Sequence, residues 1–351
     1  MKQRRKKLVW LGVLIMVGLF AFSGVAGAKE ISVAAIMYGP AHEGTWDPAA
    51  YEALMKVQKQ MPFTLHLNEN TAVQDAEKAM RDWAAKGVDV VWAHSDIYTD
   101  QLLKVAPHFK KVHFVAEITL DPRTYEGYAQ YAPDKTSENV IFNGDTPYEA
   151  HYLAGYAAAL MSKSQKIAML QPFESPNINR FINSFLFGAQ AAKPNIDANL
   201  VIIGDFVAPA ETRDAVKTLA QQGVDAIFVM LDDNSGILES AAQGISCVAP
   251  YKDKHEIAPK TVITSTCYGA HVMLKGEFEA VANGTFAQYR AKHYFRPMSL
   301  KENSLSLGKW GTHVPESVKE AVAKVEAKLR SGEITWYGDR GIDAASQMIV
   351  K

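Results

Sequence analysis

Apolar and polar positions along the chain fall into short runs that switch between two periods. ISVAAIMYG (31–39) is a nearly continuous apolar run that predicts a buried strand, and PAAYEALMKVQ (48–58) then repeats its apolar positions at helical spacing. FTLHLNEN (63–70) predicts a second strand, followed by a helix with Asp or Glu in its first turn. Strand and helix patterns continue to alternate, which predicts an α/β protein with parallel sheets and helices on both faces.

The pattern occurs twice. WAAKGVDVVWAHSD (83–96) and LAQQGVDAIFVMLDD (219–233) each end a helix at a glycine, enter a strand through Gly-Val-Asp, and stop in polar residues. Their surroundings match too: QKIAMLQPF, RFINSFLFGAQAA and ANLVIIGDF repeat the opening strand, helix and second strand. The predicted architecture is two Rossmann-like lobes, one unit over 30–145 and the other over 165–265. The last stretch supplies closing helices such as PESVKEAVAKVEAKLRSG (315–332), an amphipathic helix ended at Gly332. Ligands of open α/β sheets bind beyond the carboxyl ends of the strands. Trp46, Ser95, Asp96, Phe173, Phe206, Asp232 and Asp233 all follow predicted strands, so two facing lobes place them around one cleft.

Charge and composition narrow the functional class. Residues 1–28 read as an export signal: a basic start (Lys2, Arg4, Arg5, Lys6, Lys7), the apolar LVWLGVLIMVGLFAF, and Ala26 and Ala28 before the cleavage point. An uncleaved anchor is the alternative reading of that run. The formal charge of the whole chain is −1, and several positive charges lie in the signal, so the mature chain is acidic and lacks a nucleic-acid-binding patch. Cys247 and Cys267 are the two cysteines; in an oxidising compartment they either pair or remain free.

Catalytic motifs are missing. The chain has no G-x-S-x-G, no G-x-x-x-x-G-K-[ST] and no H-E-x-x-H, and HEGTWD (42–47) reads as a solvated loop rather than a metal site. The small residues of PYEAHYLAGYAAALMS (147–162) read as close helix packing, with Tyr148 and Glu149 in the first turn beside the hinge. For Glu149 the choice lies between a ligand contact and a helix-dipole partner.

FINSFLFGAQAAKPN, AETRDAVKTLAQQGVDAIF, DDNSGILESAAQGI and the inter-lobe YEAHYLAGYAAALMSKS together resemble the Bmp (basic membrane protein) family, from about Ile31 to the KLRSGEI helix. The resemblance implies a type I periplasmic-binding-protein fold and a substrate-binding protein of an ABC importer, similar to the purine nucleoside receptors. Nucleoside binders of that family commonly carry Asp-x-x-Phe-Asn after the first strand, where this chain has HEGTWD with Trp46 near the stacking aromatic's place. They also grip ribose with an acid and a lysine, whose positions fall near Tyr251 and Tyr268 here. Two phenols in those places point to a base without its sugar.

The reading is therefore a non-enzymatic, cofactor-free periplasmic receptor, a monomer that closes on a purine nucleobase or similar flat heterocycle and hands it to an inner-membrane permease. Its lobes are assigned to 29–147 and 148–270, with 271–351 as closing segments shared between them. Trp46 is expected to stack on one face of the ring, and Phe206, with Tyr98 nearby, to cover the other. Asp233, Asn177, Ser95, Glu149, Arg180, Tyr251 and Tyr268 complete the expected contacts. The bland alternatives are packing for Trp46 and Phe206, a helix cap for Asp233 and a surface ion pair for Arg180. A nucleoside receptor and a sensory ectodomain without a transporter are the rival functions.

Overall fold

The computed structural model describes residues 29–343, 345 and 347. The expected signal segment, 1–28, lies outside the described residues. The first unit runs β1 (Ile31–Ile36), α1 (Trp46–Gln58), β2 (Phe63–Asn68), α2 (Val73–Ala85), β3 (Val90–Ala93), α3 (Thr99–Val105), β4 (His113–Ile118) and β5 (Val140–Gly144). After α4 (Tyr148–Met161), the second runs β6 (Lys166–Gln171), α5 (Pro176–Ala192), β7 (Asp197–Ile202), α6 (Pro209–Gln221), β8 (Ala226–Val229), α7 (Ser235–Gln243), β9 (Ser246–Ala249) and β10 (Val262–Tyr268). The chain closes with α8 (His271–Ala282), α9 (Phe286–Lys292), β11 (Phe295–Pro297), β12 (Leu305–Leu307) and α10 (Glu316–Ser331).

These strands form two six-stranded sheets, ordered β11-β5-β4-β3-β1-β2 and β12-β10-β9-β8-β6-β7. The repeat seen in the sequence is thus a repeat of topology. It breaks at the edges, where β11 pairs parallel to β5 and β12 antiparallel to β10. Central strands β3 and β8 are buried along their whole length, as strands covered on both faces must be. Gly87 and Gly223, the matched glycines, both adopt φ +82°, a conformation that penalises any side chain.

Helix α4 crosses from the first lobe and packs on α5. A Cβ at Gly155 would lie 1.9 Å from the Phe185 carbonyl oxygen, and one at Gly188 would lie 1.8 Å from that of Tyr152. The small residues therefore let two backbones touch. Cys247 and Cys267 are free thiols. Cys247 sits opposite Val262 in the β9–β10 register, which leaves Cys267 roughly 16 Å along the strand, far beyond disulfide reach. Among the described residues no helix is long and apolar enough to cross a membrane.

Candidate functional site

The lobes meet along the loops that follow their strands. Trp46 begins α1, whose N-cap Thr45 makes no capping bond with its own side chain. The indole stacks on the His94 imidazole (centroids 4.4 Å, 14° between planes) and meets Tyr251 and Tyr268 edge-on, at 4.9 and 5.3 Å. Tyr251 and Tyr268 are themselves perpendicular at 5.1 Å. Trp46 and His94 come from the first lobe and the tyrosines from the second, so one aromatic group spans the cleft. Two backbone outliers border it: Ser95 at φ 145° after β3 and Tyr251 at φ 69° after β9. Such strain persists only where the surroundings enforce it, and it concentrates at binding sites.

Beneath the aromatics lies a cluster of buried polar side chains. Glu117, at the end of β4, accepts from Trp92 Nε1 at 3.0 Å and holds His94 Nδ1 at 3.2 Å with the same oxygen. Burial disfavours the His94 charge, but Glu117 and then Asp47 outweigh it and raise its pKa. Asp145, following β5, has its carboxyl pushed well above the usual range by burial and by the Glu117 and Asp96 charges. Burial likewise raises the Tyr268 phenol, with Asp145 the next cause. Arg180, 1% exposed, donates through Nη2 to Asn177 Oδ1 and to Thr119 Oγ1 at 3.2 Å. Glu117 Oε2, Asp145 Oδ1, Arg180 Nε and Nη1, and the Tyr268 hydroxyl are buried without a hydrogen-bond partner among the described residues. Buried polar atoms are normally paired, so these groups are open to further polar partners.

Several anticipated residues lie elsewhere. Tyr98 is fully buried in the first lobe's core, donating its hydroxyl to the Thr71 carbonyl at 2.5 Å. Glu149 accepts from the Leu300 N–H at 2.7 Å and anchors a closing loop. Phe206 packs perpendicular to Phe173 at 5.1 Å, and it is His94 that covers a face of Trp46. Asp233 accepts from the Ser235 N–H at 2.6 Å at the start of α7, the helix-capping role weighed above. Its neighbour Asp232 is the residue that reaches the other lobe. The Ser95 hydroxyl accepts from the Ile97 N–H at 3.4 Å, while Asn177 bridges the lobes through Asp96 and Thr119. Among the described residues Arg180 makes no ion pair; it is buried at the lobe boundary.

Sequence reasoning missed His94, Glu117, Thr119 and Asp145 as site residues. The available signal was polarity inside apolar runs: Glu117 interrupts HFVAEITL (113–120), and Asp145 ends VIFNGD (140–145). An acid at such a position needs a partner or a function.

A family model described as ABC transporter substrate-binding protein PnrA-like (Bmp) matches residues 30–332. A purine-binding protein of Brucella abortus is 27% identical over 92% of this chain and 87% of its own. An ABC transporter nucleoside-binding protein of Lactococcus lactis is 24% identical over 57% of this chain and 61% of its own. Among solved structures, an ABC transporter solute-binding protein from Conexibacter woesei superposes with a TM-score of 0.71 at 21% identity, over 87% of this chain and 98% of that one. The two-lobed α/β architecture is thus the periplasmic-binding fold, and the chain belongs to the Bmp family of ABC transporter substrate-binding proteins.

Proposed function

We propose that this substrate-binding protein is a periplasmic, monomeric receptor for a purine nucleobase, delivering it to the permease of an ABC importer. The observation that carries the reading is the juxtaposition of an aromatic group, Trp46, Tyr251 and Tyr268, with buried donors and acceptors that have no partner among the described residues. A flat heterocycle matches both halves. Its ring lies against the aromatics, worth ~0.5–1.5 kcal/mol beyond burial. Its edge carries adjacent donors and acceptors, each contributing ~1.5–3 kcal/mol when the partner is charged. Arg180 serves a ring nitrogen or exocyclic oxygen, and Glu117 accepts from ring or exocyclic N–H groups. Asp145, held toward its neutral form by burial, can donate as well as accept.

The two phenols favour a base over its nucleoside in this reading. Tyr251 is 4% and Tyr268 8% exposed, and they contact each other and Trp46. If they stand at the positions that the family resemblance gives to the ribose-gripping acid and lysine, a sugar would meet two bulky phenols there. The Brucella relative's purine-binding name agrees with this reading, and the Lactococcus relative's name supplies the rival, a whole nucleoside. Mass spectrometry of small molecules released from freshly purified, denatured protein tests it. A purine base is expected; a nucleoside, or a metabolite with no heterocycle, contradicts it.

A further inference from the structure

The two lobes hold each other through reciprocal carboxylates. In each repeat the loop after the third strand sends an acid toward the helix that follows the first strand of the other repeat. Asp96, after β3, accepts from the Asn177 side chain in the first turn of α5. Asp232, past β8, accepts from the Thr45 N–H and hydroxyl, both at 2.5 Å, and from the Trp46 N–H at 2.7 Å, at the start of α1. The two contacts are equivalent by topology but not by chemistry. Helix α5 is capped within its own lobe, Ser175 accepting from the Ile178 N–H at 3.2 Å. Helix α1 has no side-chain cap of its own. The first amides of a helix have no intrahelical acceptor, and a carboxylate there meets both that need and the helix dipole.

We propose that Asp232 is a helix cap supplied by the opposite lobe, a latch that completes α1 and fixes the Trp46 backbone only when the lobes are together. Two further contacts fit the loop to its dock. Lys254 donates to the Gly44 carbonyl oxygen at 3.1 Å and to Asn234 Oδ1 at 3.0 Å, tying the same loop to the second lobe. Gly44, at φ +88°, approaches so closely that a Cβ would stand 2.9 Å from the Asp232 carbonyl oxygen. Trp46, which lies in the cleft-spanning aromatic group, is thereby positioned by a residue of the opposite lobe. Binding and closure are coupled through one helix terminus. Asp232 is a positioning residue, and the inference rests on the family assignment rather than on the purine reading.

Amide hydrogen exchange reads the latch directly. In the full-length protein, with and without adenine, Asp232→Ala is expected to speed exchange of the 44–48 segment by roughly tenfold or more, the scale of a lost cap. Exchange of β8 should stay as in the wild type, which reports an intact second lobe. Gly44→Ala, made from the opposite lobe, should produce the same change while leaving Asp232 in place. Where adenine binds the wild type, Asp232→Ala should weaken it at least tenfold. Unchanged exchange at 44–48 in both variants, in both conditions, overturns the latch. A wild type that ignores adenine counts against adenine as the base and leaves the latch tested, because the ligand-free comparison still reads the cap.

Discussion

The loops after β3 and β8, with His94-Ser95-Asp96 in one and Asp232-Asp233-Asn234 in the other, leave equivalent strand ends with Asp96 matching Asp232, yet they do different work. The first triplet serves the cleft floor: His94 stacks under Trp46 and pairs with Glu117, while Asp96 takes one bond from Asn177. The second serves the lobe boundary: Asp232 collects three donors from Thr45 and Trp46, while Asp233 caps its own α7. What lies behind them differs as well. The first triplet backs onto buried acids, Glu117 and Asp145, with Glu277 further in, whereas the second follows the apolar Val229 and Leu231. The two halves share a scaffold, and the residues after these equivalent strands differ in whether they meet buried acids or the other lobe's helix terminus.

The largest effect that sharpens this contrast is on pH dependence. Glu277, on α8 against the first lobe, has its carboxyl pushed from 4.5 to about 7 by burial, against the lowering influence of Arg296 and of the Asn143 bond. The folded state therefore holds a proton that the unfolded state has released between those values. Stability falls as pH rises through that window and levels off above it. Glu277→Gln removes this group's share of the slope and should stabilise the protein at pH 8 by up to about 3 kcal/mol, with little change at pH 4. Denaturant unfolding at the two pH values checks this, and an unaltered slope in the variant would mean the acid titrates normally.

Next in size is the aromatic group. Trp46→Ala should weaken base binding by ~1–3 kcal/mol through lost stacking and burial. Isothermal calorimetry on the folded variant decides the point; an unchanged Kd would make Trp46 a packing residue. The smallest effect belongs to the first-lobe clasp. Asp96→Asn keeps an acceptor for Asn177, and α5 retains its Ser175 cap, so the loss in affinity should stay below about 1 kcal/mol. A loss matching that of Asp232→Ala would erase the asymmetry between the two triplets.

Much of the scaffold was legible in the sequence because burial on both faces leaves continuous apolar runs such as VDVVWA and VDAIFV, and because Gly87 and Gly223 mark equivalent helix ends. Trp46 was placed at the cleft by its position after a strand, and Tyr251 and Tyr268 by the family resemblance. Side-chain direction did not follow. Tyr98 turns into the core because the short helical turn at 96–98 rotates it toward Thr71, and Glu149 turns toward a closing loop about 150 residues away in sequence. Nothing local distinguishes Asp232 from Asp233. Which carboxylate caps its own helix and which crosses to the other lobe depends on a contact partner 187 residues earlier.

The most direct test of the account is one titration series: adenine, guanine, hypoxanthine and xanthine against their nucleosides, by calorimetry on the wild-type protein. Unpaired buried hydroxyls cost ~1–3 kcal/mol each, and under the proposed function the two phenols stand where a ribose would need partners. At least one free base should therefore bind more than ~10-fold tighter than its nucleoside, a difference of ~1.4 kcal/mol or more. Equal or tighter binding of the nucleosides would contradict the roles given to Tyr251 and Tyr268, and silence across all eight compounds would contradict the purine reading itself.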